Sequence, residues 1–308
     1  MTSVAVCIAT YRRTQGLEWL LTALDSLTFT KCPRPNVEVV VIDNDVEASA
    51  AGVCRQLSNR SYKLTYDVEP RRGIPQARNR GVQKVDETVD FIAFIDDDEI
   101  PTPQWLDELL HVQRTTRADV ISGPVLPAFP AAVPSWAVKG GFFDRARYPT
   151  GHRSPYVGAG NALVRRRVLR ETNLVFDESM ALTGGEDVLL FSRLTHLGYN
   201  TVWADEAIVY ETVPETRLTV GWVLQRAYRL GNTWSLCERR LNPSASTRVV
   251  RFGKGVGRIV QGILLLPFAL LVGPHAMVKS ARWIMLGAGN LSGMAGVRYE
   301  EYRNPHGV

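Results

Sequence analysis

Paired cysteines are missing from this chain. It has four cysteines, at positions 7, 32, 54 and 237, and no CxxC pair. A structural zinc site or a disulfide framework is therefore not indicated, and we expect a reducing cytosol. The first residues also lack a basic segment followed by a long apolar run, so no signal peptide is predicted. Internal repeats and low-complexity tracts are missing as well.

Charge of one sign is in only modest excess. The 308 residues contain 36 Lys and Arg against 31 Asp and Glu, which gives a net charge of +5. Such an excess fits anionic partners, namely nucleotides, nucleic acid or acidic lipid, without choosing among them. A hydrophobic content of 45% with 22% charged residues is typical of a globular protein. The length suits one large domain with an appendage, or two domains.

The stretch 90–101 is predicted to organise the fold. An apolar run, FIAFI (91–95), ends in four consecutive acids, DDDE (96–99). The run predicts a strand buried on both faces of a parallel or mixed sheet, so the acids would lie at the sheet edge where α/β proteins bind ligands. Clustered carboxylates suit a hard cation such as Mg²⁺ or Mn²⁺. The alternative is a solvated turn in which one Asp caps the next helix.

Strand and helix patterns alternate through the first 90 residues. Buried strands are predicted at 4–10 and 37–45, helices at 17–27 and 48–57, and a weaker strand at 63–67. This order is typical of a βαβ fold. Another helix is predicted to open within 71–81, where Gly73 allows a tight turn and Pro75 suits the first helical position. Arginines 71, 72, 78 and 80 at this helix start suit a phosphate, or else form a solvated basic face.

The middle of the chain has weaker patterns. A helix is predicted at 105–114, short strands at 119–124 and 201–209, and a helix at 220–234. Residues 127–155, rich in proline, glycine and aromatics, are predicted to form a long surface loop that closes over a site. A glycine-punctuated strand at 156–164 would let a ligand approach the backbone. Glu186 and Asp187 precede a helix over 188–197, where they would cap it or supply a general base.

The composition changes after residue 253. Residues 259–278 form an apolar run about as long as a membrane span, which needs roughly 20 residues. Basic residues stand on both sides of the run, at positions 248, 251, 254, 258, 279 and 282. Three interpretations remain open: a true span, a re-entrant or interfacial hairpin on an acidic leaflet, or a buried helical subdomain. The basic flanks favour the membrane surface.

Taken together, these motifs resemble those of family 2 glycosyltransferases with the GT-A fold, which build bacterial exopolysaccharide or cell-surface glycans. The matching segments, in the family's order, are CIATYRR (7–13), VVVIDND (39–45), RGIPQARNRG (72–81), FIAFIDDDE (91–99), GAGN (158–161), GGEDVLLFSRL (184–194) and QRAYRLG (225–231). The resemblance implies an α/β fold with a Rossmann-like mixed sheet flanked by helices. It also implies a GT-A domain over residues 1–235 and a helical, apolar, membrane-associating extension over residues 236–308.

The resemblance implies a donor site for a nucleotide-sugar. Thr10, Tyr11 and Arg12 would hold the base and ribose, and Asp43 would pair with the edge of a uracil, so UDP is the expected nucleotide. The other implied donor-binding residues are Gly73, Arg78, Asn79, Asp96, Asp97, Arg226 and Arg229. The two last arginines match the family's QxxRW pattern imperfectly.

The resemblance also implies the catalytic groups. Asp98, with Asp96, would hold Mn²⁺ or Mg²⁺ against the diphosphate. Glu211 stands where many relatives carry a histidine, so it either replaces that ligand or the metal lacks it. Asp187 would be the general base, with Glu186 beside it, and a single base fits one displacement with inversion at the anomeric carbon.

The implied protein is an inverting, metal-dependent hexosyltransferase (EC 2.4 type) acting on a glycan or polyprenyl-linked acceptor. It would be cytoplasmic and peripheral to, or anchored at, the inner face of the plasma membrane, with its C-terminal region on acidic lipid. A sugar nucleotidyltransferase would want a Gly-rich loop after the first strand, and CIATYRRT (7–14) has none. A non-catalytic nucleotide-sugar-binding protein is disfavoured by the acids and arginines at every motif. Nucleic acid is not an expected partner, because aromatics do not interleave the basic residues.

Overall fold

A computed structural model describes residues 1–130, 132–154 and 157–303. Its strands are β1 (Ser3–Thr10), β2 (Asn36–Asp43), β3 (Lys63–Val68), β4 (Phe91–Ile95), β5 (Glu99–Pro101), β6 (Val120–Ser122), β7 (Val125–Ala128), β8 (Asn161–Arg165), β9 (Thr201–Trp203) and β10 (Val209–Thr212). Its α-helices are α1 (Thr14–Asp25), α2 (Ala51–Gln56), α3 (Ile74–Lys84), α4 (Trp105–Thr116), α5 (Ser135–Gly140), α6 (Arg166–Thr172), α7 (Glu186–His196), α8 (Val220–Leu241), α9 (Ala245–Val272) and α10 (Pro274–Met294).

Seven strands form a mixed sheet in the order β3-β2-β1-β4-β8-β6-β9. β1 pairs in parallel with β2 and β4, while β8 runs antiparallel to both β4 and β6. The parallel register places Thr10 beside Asp43, so the C-terminal ends of β1, β2 and β4 lie along one edge. The predicted mixed α/β sheet is confirmed, and the acidic residues that follow β4 lie at this edge.

Helices cover both faces of the sheet. Along β1, Val4 and Ile8 belong to one buried cluster, which includes Trp105 of α4. Cys7 on the opposite face belongs to a second cluster, which includes Leu190 of α7. Because each fully buried large apolar side chain contributes about 1.5–3 kcal/mol, this double covering explains why the strands are continuous apolar runs.

A second, three-stranded sheet has the order β5-β10-β7. β10 runs antiparallel to β5 and opposes Glu211 to Glu99, and it runs parallel to β7. The strand predicted at 201–209 is therefore two strands in different sheets, β9 and β10. The reason is tertiary, since β9 pairs with β6 in the large sheet while β10 pairs with β5 and β7.

The predicted loop at 127–155 and strand at 156–164 also differ from the structure. The loop region includes the end of β7 and helix α5, which aromatic side chains hold in place: Phe143 stacks on Trp222 of α8, with ring centroids 5.6 Å apart. The strand begins only at Asn161. Residues 131, 155 and 156, which belong to these two predictions, lie outside the described residues.

The C-terminal helices form an antiparallel hairpin. The apolar run 259–278 is not one helix, because the chain turns at Gly273 between α9 and α10. α10 packs closely on both α8 and α9: a Cβ on Gly289 would lie 2.0 Å from the Tyr228 carbonyl oxygen, and one on Gly287 would lie 2.5 Å from that of Gly255. The predicted domain boundary between residues 235 and 236 lies inside α8.

Helix α9 is the most exposed apolar element. It has 28 residues, and by length and composition alone it could cross a membrane. Only 17% of its most apolar window is buried. Near the turn, Leu264 is 65% exposed and Leu271 is 87% exposed. The hairpin therefore presents an apolar tip that the other described residues of the chain leave uncovered.

Candidate active site

The acidic segment after β4 is held by residues that follow β1. The Thr10 hydroxyl donates to Asp97 at 2.8 Å. One guanidinium nitrogen of Arg13 donates to both Asp97 and Asp98, at 3.0 Å each. Asp97 is 4% exposed and so faces the protein interior, whereas about a fifth of the Asp98 side chain is exposed. Asp98 is thus the member of this pair that presents oxygen to the cleft.

A cluster of arginines lies on the other side of Asp98. Arg217 lies 3.7 Å from the Asp98 carboxylate and donates to Glu211 at 2.8 Å. Arg145 donates to the second oxygen of Glu211. Arg226 projects from α8 with its guanidinium 5.0 Å from the centre of the Trp222 ring. The cleft therefore changes from acidic to basic within a few ångströms.

Arg78 joins the acidic segment to the loop before α7. It lies in α3 and is 8% exposed. Its guanidinium donates to Asp96 and to Glu186, at 2.6 Å each. Because one planar fork holds both carboxylates, the predicted donor-binding acid and the predicted catalytic pair are fixed relative to each other. The second oxygen of Glu186 is buried and finds no hydrogen-bond partner among the described residues.

Asp187 begins α7 beside Glu186 and remains partly exposed. Its carboxylate accepts from the backbone N–H of Ala159 at 3.1 Å and from that of Val188 at 2.7 Å. Gly185, which precedes the pair, has φ +91°, and a Cβ there would lie 2.2 Å from the Thr233 methyl carbon. Glycine is thus required where this loop passes α8. These contacts fix Asp187 beside Glu186, where its charge also acts on Arg78.

The residues predicted to hold the nucleoside lie at the open edge of the sheet. The Tyr11 ring lies under Arg12 and Arg72, whose guanidinium carbons are 5.2 and 5.0 Å from its centre. Arg12 donates to Asp45 at 2.9 Å. Asp43 is fully buried and accepts hydrogen bonds from the backbone of Ala50 and Asp45 and from the Tyr66 hydroxyl. Asp45, rather than Asp43, is therefore the carboxylate beside Tyr11 and Arg12.

Three further predicted residues have positioning contacts. The backbone N–H of Gly73 donates to the Asn44 side chain at 2.7 Å. Asn79 exchanges two hydrogen bonds of 2.9 Å with the backbone of Phe176, which holds the segment before α7 against α3. Arg229 reaches the hydroxyl of Tyr302 at 3.4 Å.

Ionisation in the cleft follows from burial and from this charge division. Burial raises the pKa of Asp98 to about 7, with Arg13 opposing the rise and Asp97 adding to it. Burial also raises the pKa of Glu186 to about 7, although Arg78 favours its charged form. At the basic end, burial lowers the pKa of Arg226 to about 10, and Arg229 adds to the fall. The acidic end thus favours an added cation, and the basic end an anion.

The oxygen donors fit a metal that arrives with a phosphate ligand. No preformed group of three or more His, Cys, Asp and Glu side chains converges within residues 1–130, 132–154 and 157–303. Mg²⁺ sites need no such cage, since one or two carboxylates and substrate phosphates usually suffice. Asp98 is suitably placed, with Asp96 two residues before it. Both Glu211 oxygens contact arginines, and these outweigh burial to hold its pKa below the ordinary value.

Five of the described cleft residues escaped sequence reasoning: Arg13, Asp45, Arg145, Arg217 and Tyr302. Arg13 stands within the CIATYRR segment, so its motif gave a usable signal. Arg145 and Arg217 lie in irregular or short elements that have no periodicity. Tyr302 lies beyond every motif, and nothing in the sequence pointed to it.

Known proteins share this fold. The structure matches that of the mannosyltransferase PcManGT from Pyrobaculum calidifontis in complex with GDP-Man and Mn²⁺. The TM-score is 0.63 at 15% identity, and the match covers 94% of this chain and 86% of PcManGT. S. aureus TarS 1-349 in complex with UDP-GlcNAc matches with a TM-score of 0.54 at 14% identity, over 97% and 93% of the two chains. These likenesses confirm the predicted GT-A fold class.

Sequence comparison gives the family. The profile of Glycosyl transferase family 2 matches residues 5–172, and that of Glycosyl transferase family group 2 matches residues 91–295. The succinoglycan biosynthesis protein ExoM of Rhizobium meliloti (strain 1021) is 32% identical over 238 residues, 75% of this chain and 73% of ExoM. Glycosyltransferase AglE of Haloferax volcanii is 25% identical over 206 residues, 67% of this chain and 65% of AglE. The predicted enzyme class is thereby confirmed: the chain is a glycosyltransferase and belongs to glycosyltransferase family 2.

Proposed function

We propose that this enzyme moves a hexose from a nucleotide-diphosphate donor to a hydroxyl of a glycan or polyprenyl-linked acceptor in exopolysaccharide or cell-surface glycan synthesis. The observation that carries the proposal is the Arg78 bridge, which joins Asp96 of the acidic segment to Glu186 beside Asp187. Donor-binding and proton-accepting groups thus belong to one cleft. The name of the ExoM relative supports a role in polysaccharide synthesis.

The arginines suit the leaving diphosphate. Breaking a glycosyl-phosphate bond leaves negative charge on the diphosphate, and fixed cations stabilise that charge as it develops. Arg13, Arg217 and Arg226 surround Asp98 and Glu211 on the basic side of the cleft. When bound, Mn²⁺ or Mg²⁺ supplies further positive charge to the diphosphate, and Asp98 and Asp96 are the residues that would hold it. Glu211 would join them only by giving up Arg145 or Arg217, which now contact its two oxygens.

Asp187 is the proposed general base. The acceptor oxygen forms a bond to the anomeric carbon while the bond from that carbon to the diphosphate oxygen breaks, and its electron pair leaves with the diphosphate. The proton of the acceptor hydroxyl passes to Asp187. The backbone N–H groups of Ala159 and Val188 hold the carboxylate in place for this transfer. One base facing one leaving group gives inversion at the anomeric carbon.

Acidic lipid is the proposed partner of the C-terminal hairpin, which we assign to a membrane-associating extension over residues 236–308. Lys279 lies six residues beyond Gly273, or ~9 Å from the tip at 1.5 Å per residue. The uncharged part of α9, residues 259–272, spans ~20 Å and is shorter than the ~30 Å hydrocarbon core. The tip would therefore enter one leaflet, with Lys279 and Arg282 at the headgroups, and the enzyme would lie at the cytoplasmic face of the plasma membrane.

Thermal unfolding with nucleoside diphosphates tests the donor proposal. UDP, GDP, CDP and dTDP would each be added with and without Mn²⁺. A ligand that binds only the folded state at 100 times its Kd stabilises the protein by about 2.7 kcal/mol, a readable shift. We expect UDP to stabilise the wild type only with Mn²⁺, and Asp98→Ala to lose that effect. Stabilisation by another nucleotide would change the nucleobase assigned to the donor. If no nucleotide shifts the unfolding temperature, even with detergent and lipid present, the proposed function is contradicted.

Asp187→Asn tests the base separately. The variant keeps the shape of the side chain, so nucleotide binding should be unchanged. Transfer should fall by roughly 10²–10⁴-fold, the usual contribution of general base catalysis. Asp205→Asn, a surface change at an ion pair with Arg147, is the matched control. Full transfer by Asp187→Asn would exclude Asp187 as the base.

A further inference from the structure

The residues after α10 return to the cleft. We name residues Arg298 to Tyr302 the C-terminal strap. It follows a turn at Ala295 and Gly296, which ends α10. The strap lies outside all the matching sequence motifs and beyond both matched family profiles. Its position is therefore a property of the tertiary structure of this chain.

A buried asparagine of α8 anchors the strap. Asn232 has no exposed surface, and its amide nitrogen donates to the carbonyl of Val297 at 2.9 Å. Its amide oxygen accepts from the backbone N–H of Tyr299 at 3.3 Å. The Tyr299 ring packs edge-on against Tyr228, with centroids 5.6 Å apart. A buried amide that satisfies strap backbone groups indicates a defined resting position.

Tyr302 spans the cleft at the end of the strap. Its backbone N–H donates to the Leu182 carbonyl, and its own carbonyl accepts from Arg72, at 3.0 Å each. Its hydroxyl accepts from Arg229 at 3.4 Å. Its ring packs on Gly184, where a Cβ would lie 3.0 Å from the ring. One residue thus connects the nucleoside side of the cleft, the loop before α7 and an arginine of α8.

The phenol is able to donate a hydrogen bond into the cleft. Burial raises the pKa of the Tyr302 phenol. The negative charges of Glu186 and Asp96 add to this rise, whereas Arg229 opposes it. The hydroxyl is therefore protonated at neutral pH. The hydroxyl interacts with the charges of Arg229, Glu186 and Asp96, and Arg13 is also within range of it. Diphosphate oxygens are strong acceptors for such an O–H.

We propose that Tyr302 is a donor-contacting residue and that the C-terminal strap closes over the bound nucleotide-diphosphate sugar. The phenol donates to the diphosphate, and the strap backbone holds Arg72 over Tyr11 on the nucleoside side. Closing the cleft also keeps water from the activated sugar. This inference rests on the proposed function, since it assigns a further residue to the same donor site.

Proteolysis of the full chain distinguishes closure of the C-terminal strap over the nucleotide from displacement of the strap by the nucleotide. Trypsin cleaves after Arg298, which is exposed and lies at the start of the strap. With the nucleoside diphosphate that stabilises the wild type, and Mn²⁺, we expect release of the C-terminal peptide to slow several-fold. Cleavage after Arg60, in the turn between α2 and β3, is the internal control and should not change. Faster release of the C-terminal peptide would mean that the nucleotide displaces the strap, and would overturn the proposal.

Calorimetry on point variants measures the contact itself. Tyr302→Phe keeps the ring on Gly184 and loses the hydroxyl, so the Kd for the nucleoside diphosphate should rise about two- to tenfold. Tyr302→Ala should raise it further and increase hydrolysis of the donor relative to transfer. Tyr148→Phe, whose ring stacks on His152 away from the strap, is the matched control.

The outcomes separate the two proposals. If the wild type binds no nucleoside diphosphate, the proposed function fails. If the wild type binds one and Tyr302→Phe binds it equally well, the role of Tyr302 alone fails. Tighter binding by Tyr302→Ala would show that the strap obstructs the donor site, which also overturns the inference.

Discussion

Arg78 and Arg80 show how differently two arginines of one helix act. Arg78 is buried between Asp96 and Glu186, whereas Arg80 pairs with Asp67 near the surface. Removing one member of a buried ionic group leaves uncompensated charge, while an exposed pair contributes little. The environment of each guanidinium, rather than its charge, therefore decides how much it stabilises the folded chain.

Substitution of each arginine by alanine tests this contrast. Arg78→Ala should lower the free energy of unfolding by about 3–5 kcal/mol, because Asp96 and Glu186 lose their shared partner. Arg80→Ala, on the same helix, should cause a much smaller loss. Urea denaturation of both variants against the wild type measures the difference. Equal losses would mean that the Arg78 bridge does not stabilise the folded cleft.

The buried Glu186 predicts a pH dependence of stability. Its pKa is raised by burial from 4.5 to about 7 in the folded chain, so the folded state binds more protons than the unfolded state between these values. Stability from this group is present below pH 4.5 and is lost as the pH rises towards 7. The free energy of unfolding of Glu186→Gln, relative to that of the wild type, should therefore be higher at pH 8 than at pH 5.

Urea denaturation at the two pH values checks this expectation. Glu171→Gln, at an exposed position of α6, is the control and should change stability equally at both. The same flat response in Glu186→Gln would contradict a raised pKa in the folded chain.

At the scale of elements, α9 and α10 differ in what covers them. α10 packs into close contact with α8 and α9, where glycines permit backbone approach. α9 leaves its apolar residues near the turn exposed. Small residues at helix contacts with large apolar residues outside are the pattern of helices packed in lipid.

Vesicle co-sedimentation tests the hairpin tip. A double substitution, Leu264→Gln with Leu271→Gln, should reduce partitioning onto vesicles of phosphatidylcholine and phosphatidylglycerol at least about tenfold, since each leucine buried in lipid contributes about 1.5–3 kcal/mol. Leu197→Gln is the matched control, because Leu197 is 63% exposed and Leu264 is 65% exposed. Unchanged binding by the double variant, or equal binding to vesicles without phosphatidylglycerol, would count against an acidic membrane partner.

At the scale of the whole molecule, α8 connects the cleft to the C-terminal hairpin. It carries Arg226 and Arg229 into the cleft, anchors the strap through Asn232, and packs against α10. The loop that follows α5 packs nearby through the stacking of Phe143 on Trp222. The hairpin and the catalytic domain therefore share one helix, and lipid contact at the tip would orient the cleft relative to the membrane.

The sheet could be predicted well because its strands are long and buried. The apolar runs 4–9, 39–42 and 91–95 make up most of β1, β2 and β4, and each is followed by polar residues at the ligand-binding edge. Prediction from local sequence failed where a strand pairs with strands that are distant along the chain. β10 exists because β5 and β7 lie on either side of it, and residues 201–209 carry no signal for a change of sheet.

The candidate site likewise contains residues that the sequence predicts and residues that only the folded chain brings together. Asp96, Asp98, Glu186 and Asp187 stand in recognisable motifs, and they do meet in one cleft. Their partners Arg145, Arg217 and Tyr302 come from remote segments that share no spacing with the motifs. Asp43, expected at the nucleobase, is enclosed by Ala50 and Tyr66. The carboxylate near Tyr11 could be identified only from the folded chain.

By itself, the sequence determined the sheet, the motif order and the family, because burial periodicity and the chemistry of clustered acids are local properties. Only the tertiary structure decided which cations face Asp98, that Arg78 links Asp96 to Glu186, and that the C-terminal strap returns to the cleft. The physical reason is that ion pairs and backbone hydrogen bonds between distant segments depend on packing in space. A residue such as Tyr302 gains its environment from Arg72, Gly184 and Arg229, none of which is near it in sequence.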